Sequence, residues 1–160
     1  MQYLGIDPGV NGASCLIKDD RISVKDFDKG HIGHNLYPYY NVRCWIERVW
    51  GSPNQSPQTA FSFGKNYGYW LGRLEYSGIK FDEVTPYEWQ SQFISNFSSK
   101  SYKQKKKDLH QLCIKELEKN NFSIKVNQKQ ADAVLIALAL RKHTDNVTNC
   151  DQHEKQYISG

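Results

Sequence analysis

Three acidic residues that lie far apart in the sequence could together perform metal-dependent chemistry. Asp7 follows an apolar run, Glu47 interrupts a second apolar segment, and Asp132 lies in the first turn of an apolar helical pattern. A buried carboxylate needs a partner because removing its charge from water is costly. A divalent cation such as Mg²⁺, which prefers hard oxygen ligands, could be a partner shared by all three. Two such ions can activate a water molecule and stabilise the leaving oxygen in phosphodiester cleavage.

Each of these carboxylates also has a simpler interpretation. Asp7 precedes a Pro-Gly pair and could be a turn residue. Glu47 could form an ion pair with Arg43 or Arg48. Asp132 could be an ordinary acidic residue at a helix start, stabilised by the helix dipole. The metal site is therefore a prediction that depends on the three residues meeting in space.

The size and composition of the chain indicate one globular domain. Its 160 residues are enough for a hydrophobic core without disulfide bonds. Its four cysteines have no paired spacing, and Cys15 and Cys44 lie in apolar segments, so we expect buried, reduced thiols. His31 and His34 are too few ligands to predict a zinc site. No signal-peptide pattern and no membrane-length apolar run is visible, so we expect a cytosolic protein.

A cluster of lysines concentrates positive charge in one part of a chain whose net charge is only +4. This distribution is typical of a surface that faces a polyanion, although a solvated loop would have the same composition. The cluster consists of Lys100, Lys103, Lys105, Lys106 and Lys107.

The apolar patterns predict an α/β fold with a mixed sheet covered by helices on both faces. Three strands near the N-terminus should form an antiparallel meander, and two further strands follow. The last helix should span about residues 130–142, which divides the chain into a domain of residues 1–143 and a flexible polar tail of residues 144–160. The predicted strands cover residues 3–7, 13–18, 22–27, 42–50 and 81–84, and the other predicted helices cover about 60–74, 87–93 and 102–119.

Four motifs resemble, in order, those of the RuvC family of Holliday junction resolvases, particularly its phage-type branch. The resemblance covers about residues 1–142. The motifs are Leu4-Gly5-Ile6-Asp7-Pro8-Gly9-Val10-Asn11-Gly12-Ala13, Ile46-Glu47-Arg48-Val49 leading to Phe63-Gly64-Lys65-Asn66-Tyr67-Gly68, Val84-Thr85-Pro86-Tyr87-Glu88-Trp89, and Gln130-Ala131-Asp132-Ala133-Val134-Leu135-Ile136-Ala137.

The resemblance implies an RNase H-like fold with a five-stranded mixed sheet, and a homodimer that nicks four-way DNA junctions symmetrically. It also implies dependence on Mg²⁺, for which Mn²⁺ can substitute. By position, Asp7 matches the first-strand metal ligand, Glu47 the central acidic ligand and Asp132 the ligand on the last helix.

The resemblance further implies residues that contact branched DNA and residues that form the dimer. The lysine cluster matches a region that binds the DNA backbone, and Phe61 and Phe63 match aromatics that stack on unpaired bases. Helical spacing alone would equally place both aromatics in a core or an interface. The helix that carries Gly64, Gly68 and Gly72 matches the helix that forms the dimer contact in the family. Small residues at every fourth position would permit close approach of another backbone.

Two departures from the family pattern affect the expected activity. The family has a fourth ligand, Asp or His, three or four residues before the position of Asp132, where this chain has Lys129 and Gln128 after Asn127. A lysine would oppose cation binding unless it turned away or contacted a substrate phosphate. The interval between Phe27 and Val42 is also short for the helix that normally crosses between strands, so residues 28–41 must hold a compressed helix or a loop.

The leading hypothesis is a structure-selective endonuclease that resolves four-way junctions by metal-dependent hydrolysis. An alternative is a junction-binding protein with weak or no cleavage, because the fourth ligand is missing. The Gly-Ile-Asp-Pro-Gly segment also resembles phosphate loops of actin-like sugar kinases, but those enzymes need two large lobes.

Overall fold

A five-stranded mixed sheet forms the centre of the protein. The computed structural model describes residues 1–9, 11–27, 41–51, 55–94 and 101–158, and it describes side chains up to residue 147. The strand order across the sheet is β3-β2-β1-β4-β5. The strands are β1 (Gln2–Asp7), β2 (Ala13–Lys18), β3 (Arg21–Asp26), β4 (Val42–Glu47) and β5 (Phe81–Val84).

The directions of the strands confirm the predicted mixed sheet with an N-terminal meander. β1 pairs antiparallel with β2, and β2 pairs antiparallel with β3. β4 runs parallel to β1 and β5 runs parallel to β4. The carboxyl ends of β1, β4 and β5 therefore meet at the same edge of the sheet.

Four described helices cover the two faces of this sheet. Each of the first three begins at a serine or threonine whose side chain accepts a hydrogen bond from a backbone N–H of the first turn, and two have proline directly after this cap. The helices are α1 (Pro57–Tyr76), α2 (Pro86–Gln90), α3 (Tyr102–Lys119) and α4 (Ala131–Ile158).

The apolar start of α4 lies directly against β1, at a point where β1 has a glycine. A Cβ atom on Gly5 would lie 2.3 Å from the backbone nitrogen of Ala137 and 2.4 Å from the carbonyl oxygen of Ala133. These distances are too short for any side chain, so only glycine permits this approach. The close contact places the first turn of α4 beside the end of β1.

The core has two parts, one on each face of the sheet. On one face, α3 and α4 pack on inward side chains such as Tyr3 and Trp45. On the other face, Trp70 and Leu74 of α1 pack against Leu4 and its neighbours in β1 and β4. The helices therefore cover both faces, as the sequence predicts.

Two of the boundaries that differ from the sequence predictions concern the candidate site and the C-terminal segment. β4 ends at Glu47 rather than at residue 50, so Glu47 lies at the end of its strand and does not interrupt it. α4 continues to Ile158, so the predicted helix end at residue 142 is wrong. The division into a domain and a flexible tail stays a prediction. Residues 28–40, with His31 and His34, lie outside the described part of the chain.

The described cysteines agree with a further expectation. Cys15, Cys44 and Cys113 are buried free thiols. No helix within the described ranges combines the length and the apolar character that crossing a bilayer requires.

Candidate metal and nucleic-acid site

Strand register brings Asp7 and Glu47 side by side. In the parallel β1–β4 ladder, Ile6 pairs with Ile46, so the next residue on each strand is one of the two acids. Side chains alternate between the faces of a sheet, and Ile6 and Ile46 belong to the core on the α1 side. Both carboxylates therefore lie on the opposite face, where α4 packs.

Asp132 joins the two strand residues from the first turn of α4. Its side chain is almost completely buried, with 5% of the residue exposed. The contact of Gly5 with the same helix positions this turn, and Asp132 lines the same cleft as Asp7 and Glu47. The fold thus brings the three residues to one cleft, and their role as metal ligands stays a prediction.

Burial and mutual repulsion raise the affinity of two of these carboxylates for protons. Burial is the largest cause of the raised pKa of Asp7, followed by the charge of Asp132, although Gly9 N–H donates to Asp7 Oδ1 at 3.0 Å. Burial also raises the pKa of Glu47 to about 7, and the charges of Asp7 and Asp132 act in the same direction. A cation bound between them would relieve this repulsion.

Trp89 on α2 is a neutral partner of Glu47. Its indole Nε1–H donates to Glu47 Oε2 at 2.7 Å, and the tryptophan itself is completely buried. This hydrogen bond favours the charged carboxylate and partly opposes the effect of burial on the pKa of Glu47.

Lys106 on α3 is the charged partner of Asp132. Its ammonium donates to Asp132 Oδ2, while Asp132 Oδ1 is buried without a hydrogen-bond partner among the described residues. Burial acts to lower the pKa of Lys106, but Asp132, Asp7 and Tyr102 outweigh it and raise that pKa to about 12. Lys106 is therefore a positive charge held against Asp132 inside the acidic group, and the DNA-binding role that the resemblance implies for it stays a prediction.

The donor set has the right chemistry for a hard divalent cation. It offers three carboxylates, two of them with raised pKa values, and one buried oxygen that lacks a partner. Within the part of the chain that the structure describes, however, no group of three His, Cys, Asp or Glu side chains is arranged to hold a metal ion as it stands. Lys106 supplies the local positive charge in this arrangement, so a cation would have to compete with it for Asp132.

A cleft of about 960 Å³ opens over these carboxylates and carries several of the predicted DNA-binding residues. Lys103, Lys105 and Lys106 line it on the α3 side, and Phe63 of α1 lines it as well. Phe61 is 75% exposed and lies outside the cleft lining.

The remaining lysines of the cluster are placed differently. Lys107 is exposed but does not line the cleft. Lys100 lies outside the described residues. The cluster is thus divided, with two exposed lysines in the cleft and one lysine inside the acidic group.

The residues before Asp132 take roles other than that of a fourth ligand. Lys129 is exposed and extends its ammonium to Asn11 Oδ1, at 3.5 Å, across the mouth of the cleft. Asn127 uses its side-chain oxygen to accept from the backbone N–H groups of Lys129 and Gln130. Gln128 lines the cleft. Lys129 therefore lies at the entrance and is not in contact with Asp132.

The contact of Trp89 with Glu47 and the contact of Lys106 with Asp132 were not predicted from the sequence, although Lys106 itself was predicted to bind DNA. Trp89 and the pairing of Lys106 with Asp132 both depend on contacts between elements far apart in the chain. The local sequence contains one signal for Trp89. Thr85-Pro86 followed by Glu88 is typical of a capped helix start, and such a cap fixes the backbone next to Trp89. The ring of His143 on α4 packs at a tilt against that of Trp45, with ring centroids 5.3 Å apart.

Comparison with known proteins gives matches in structure only. No protein-family model matches the chain, and no curated protein matches it. The structure is similar to that of RuvC from T. thermophilus in complex with a Holliday junction substrate, with a TM-score of 0.59, 13% identity, and coverage of 87% of this chain and 91% of that one. The chain has the RuvC fold. A second Thermus thermophilus RuvC structure matches with a TM-score of 0.54 and 13% identity, over 87% of this chain and 92% of the other.

The similarity to the RuvC structures agrees with the fold that the sequence motifs imply, a five-stranded mixed sheet covered by helices. At this identity the similarity concerns the arrangement of strands and helices. The roles of individual residues and the phage-type branch suggested by the motifs stay predictions.

Proposed function

We propose that the protein is a structure-selective DNA endonuclease that resolves four-way junctions by metal-dependent phosphodiester hydrolysis. The observation that carries the proposal is the convergence of Asp7, Glu47 and Asp132 at the base of one cleft on a RuvC fold. Such a cluster of buried carboxylates is unfavourable without a positive charge, and it lies beside lysines that could bind DNA.

In this proposal, Asp7, Glu47 and Asp132 hold Mg²⁺, or Mn²⁺ in its place. When bound, the cation would supply an activated water molecule and stabilise the charge that develops on the leaving oxygen. Asp132 Oδ1 is the oxygen most ready to ligate, because it is buried and has no partner among the described residues.

The other cleft residues would bind and orient DNA. Lys103 and Lys105 are exposed on the cleft wall and can each contact a backbone phosphate. Phe63 in the cleft and Phe61 beyond it offer rings for stacking on bases that are unpaired at a crossover. Lys129 at the cleft mouth could bind phosphate after releasing Asn11.

Symmetric cleavage of a junction requires two active sites, and α1 is the proposed dimer contact. A Cβ atom on Gly64, Gly68 or Gly72 would meet no atom of the described residues within 4 Å, so this face of the helix is open to another chain. Exposed aromatics, including Tyr69 and Tyr76, lie on the same helix. Sedimentation equilibrium tests this contact: Gly68→Arg should be monomeric where the wild type dimerises, and a monomeric wild type would reject it.

The test of the proposed activity is cleavage of a labelled four-way junction by Asp7→Asn in the presence of Mg²⁺ or Mn²⁺. The substitution keeps the size of the side chain but removes the charge that the cation needs. Nicking should be abolished, whereas junction binding should persist because the lysines are unchanged. An Asp7→Asn variant that nicks at the wild-type rate would refute the assignment.

A junction-resolving nuclease of this kind would act in the cytosol of a bacterium or phage-infected cell, where its DNA substrate lies.

The second candidate is a junction-binding protein with little or no cleavage activity. The ammonium of Lys106 on Asp132, together with Lys129 in place of an acidic ligand, favours this candidate because both oppose cation binding. A wild-type protein that shifts the labelled junction in a gel but leaves it uncut at high Mn²⁺ would select the binder over the nuclease.

A further inference from the structure

The neutral side chain of Trp89 donates a hydrogen bond directly to a carboxylate of the acidic group. Its Nε1–H donates to Glu47 Oε2 at 2.7 Å from a position with no exposure to solvent. An indole N–H can only donate, so Trp89 can neither ligate a cation nor accept a proton. Its effect on the site must be to fix the carboxylate of Glu47.

The donor is held rigidly because α2 is tightly constrained at its start. Thr85 Oγ1 accepts from Glu88 N at 3.2 Å, and Glu88 Oε2 accepts from Thr85 N at 2.6 Å, which forms a complete capping box. Pro86 occupies the first helical position. These contacts fix the backbone one residue before Trp89, and the ring itself packs in the core.

The same short helix also forms part of the cleft wall. Pro86 and Gln90 line the cleft on either side of the buried Trp89. α2 thus contacts the space that substrate would occupy and, through the indole, the carboxylate that would hold the cation.

We propose that Trp89 is a positioning residue for the cation site: it engages one oxygen of Glu47 so that the other is presented as a single ligand in a fixed direction. This inference rests on the proposed function. Partners that orient a metal-binding carboxylate contribute to affinity although they do not contact the metal, and removing them commonly weakens metal binding about 10–100-fold.

The test compares Trp89→Phe with Trp45→Phe, a matched control that removes an indole from the same core on the α4 side. Mn²⁺ binding is measured on the free protein by electron paramagnetic resonance, and junction binding is measured in EDTA. Trp89→Phe should bind Mn²⁺ at least about tenfold more weakly than the wild type. Trp45→Phe should keep the wild-type affinity for Mn²⁺, and both variants should keep wild-type junction binding.

A spectroscopic readout separates positioning from a general loss of packing. The chain has 4 tryptophans, and the indole N–H signal missing from the nitrogen-correlated spectrum of Trp89→Phe identifies Trp89. In the wild type, this signal should shift when Mg²⁺ is added, and the Trp45 signal should not. A Trp89 signal that is unaffected by saturating Mg²⁺ would contradict the inference.

A second variant covers the case in which Trp89→Phe does not fold. Benzothienylalanine, introduced at position 89 by stop-codon suppression, keeps the shape of the ring but replaces the N–H by sulfur. It should weaken Mn²⁺ binding as Trp89→Phe does. Wild-type Mn²⁺ affinity in this variant would overturn the role of the hydrogen bond while leaving the proposed nuclease intact. A wild-type protein that binds no Mn²⁺ would instead overturn the proposed function and this inference together.

Discussion

Lys106 donates to only one oxygen of Asp132, and the other oxygen of that carboxylate is buried without a described partner. The carboxylate is therefore neutralised in charge but incompletely satisfied in hydrogen bonding. The side chain of Asp132 is 7% exposed and that of Lys106 is 26% exposed, so removal of the lysine would leave a negative charge with little access to water. Without a bound metal ion, Lys106 supplies the positive charge that neutralises Asp132.

Replacing Lys106 by methionine should destabilise the metal-free protein. Loss of one member of a buried ion pair leaves an uncompensated charge, and with Lys106 partly exposed we expect a cost of about 1–3 kcal/mol in the free energy of unfolding. Because the same change removes a competitor for Asp132, Mn²⁺ should bind the variant more tightly and restore much of the lost stability. Urea unfolding in EDTA and in Mn²⁺ measures both effects.

Lys107→Met is the matched control for this experiment. Lys107 is the next residue on α3 and is exposed outside the cleft lining, so its replacement should change neither stability nor Mn²⁺ affinity. Equal stability of Lys106→Met and the wild type in EDTA would show that the ion pair contributes nothing to the fold.

The stability of the metal-free protein should fall as the pH rises from about 5 to about 7.5. The pKa of Glu47 is raised from 4.5 to about 7 in the folded protein, so the folded state binds more protons than the unfolded state in this interval. Stability that is fully present below pH 4.5 is therefore lost as the pH rises through 7. Burial is the largest cause of the raised pKa of Glu47; the charges of Asp7 and Asp132 also raise it, whereas the hydrogen bond from Trp89 and the charge of Lys106 lower it. The raised pKa of Asp7 adds an effect of the same sign on stability.

The size of this pH effect has an upper limit of about 3 kcal/mol for Glu47, given a shift from 4.5 to about 7. Unfolding in urea at several pH values, in EDTA, measures it. Glu47→Gln should flatten the profile because glutamine does not titrate, and Mg²⁺ should flatten it by favouring the charged carboxylates. A wild-type protein whose stability rises over this interval would contradict the proposed electrostatics of the site.

Much of the fold could be predicted because strand patterns and helix caps are local. The continuous apolar run of β1 predicts a buried strand that ends at Asp7, and the meander follows from short turns between apolar runs. The end of β4 could not be predicted, since the apolar Val49 and Trp50 follow shortly after Glu47. The hydrogen-bonded ladder between β4 and β5 ends at the pair Glu47 and Val84. The end of β4 therefore depends on the length of its partner strand β5.

The hydrogen-bond partners of Glu47 and Asp132 could not be predicted from the sequence, because they lie on elements far away in the chain. Lys106 belongs to a run of similar lysines, and only the docking of α3 beside α4 selects it for Asp132. The bond from Trp89 to Glu47 joins residues 42 positions apart, and no period within the chain encodes that contact. The polar end of α4 lacks an apolar pattern that would have predicted a helix.

Gly5→Ala should be strongly destabilising, because the added methyl group would overlap the backbone of α4. Its Cβ would lie 2.3 Å from Ala137 N, and neither backbone can move away without disturbing the core. We expect a loss of at least about 1–3 kcal/mol in unfolding free energy, as for other overpacked cores. Because α4 also carries Asp132, the variant should bind Mn²⁺ more weakly as well.

Gly68→Ala provides the contrast for Gly5→Ala. A Cβ at Gly68 meets no described atom within 4 Å, and alanine favours a helix interior over glycine by about 1 kcal/mol. Urea unfolding at a protein concentration low enough to give monomers should therefore show an unchanged or slightly more stable variant. If Gly5→Ala were as stable as Gly68→Ala, the close contact between β1 and α4 would be wrong.

Lys103→Gln and Lys105→Gln should each reduce the salt dependence of junction binding. Both lysines are exposed on the cleft wall, where each could neutralise one phosphate and release one counterion. Each loss should lower the slope of log affinity against log salt concentration by about 0.9, the value for one phosphate contact on duplex DNA. Binding is measured in EDTA over a range of salt concentrations, so that cleavage does not interfere.

Lys119→Gln is the control for these two variants, since it removes the same charge from the opposite end of α3, outside the cleft lining. Its slope should equal that of the wild type, although general attraction between a basic protein and DNA falls slightly in all three variants. The slope therefore distinguishes a direct phosphate contact from a loss of net charge. If Lys119→Gln lowered the slope as much as Lys103→Gln, the DNA would not follow the cleft, and the lysines of α3 would act only through the total charge.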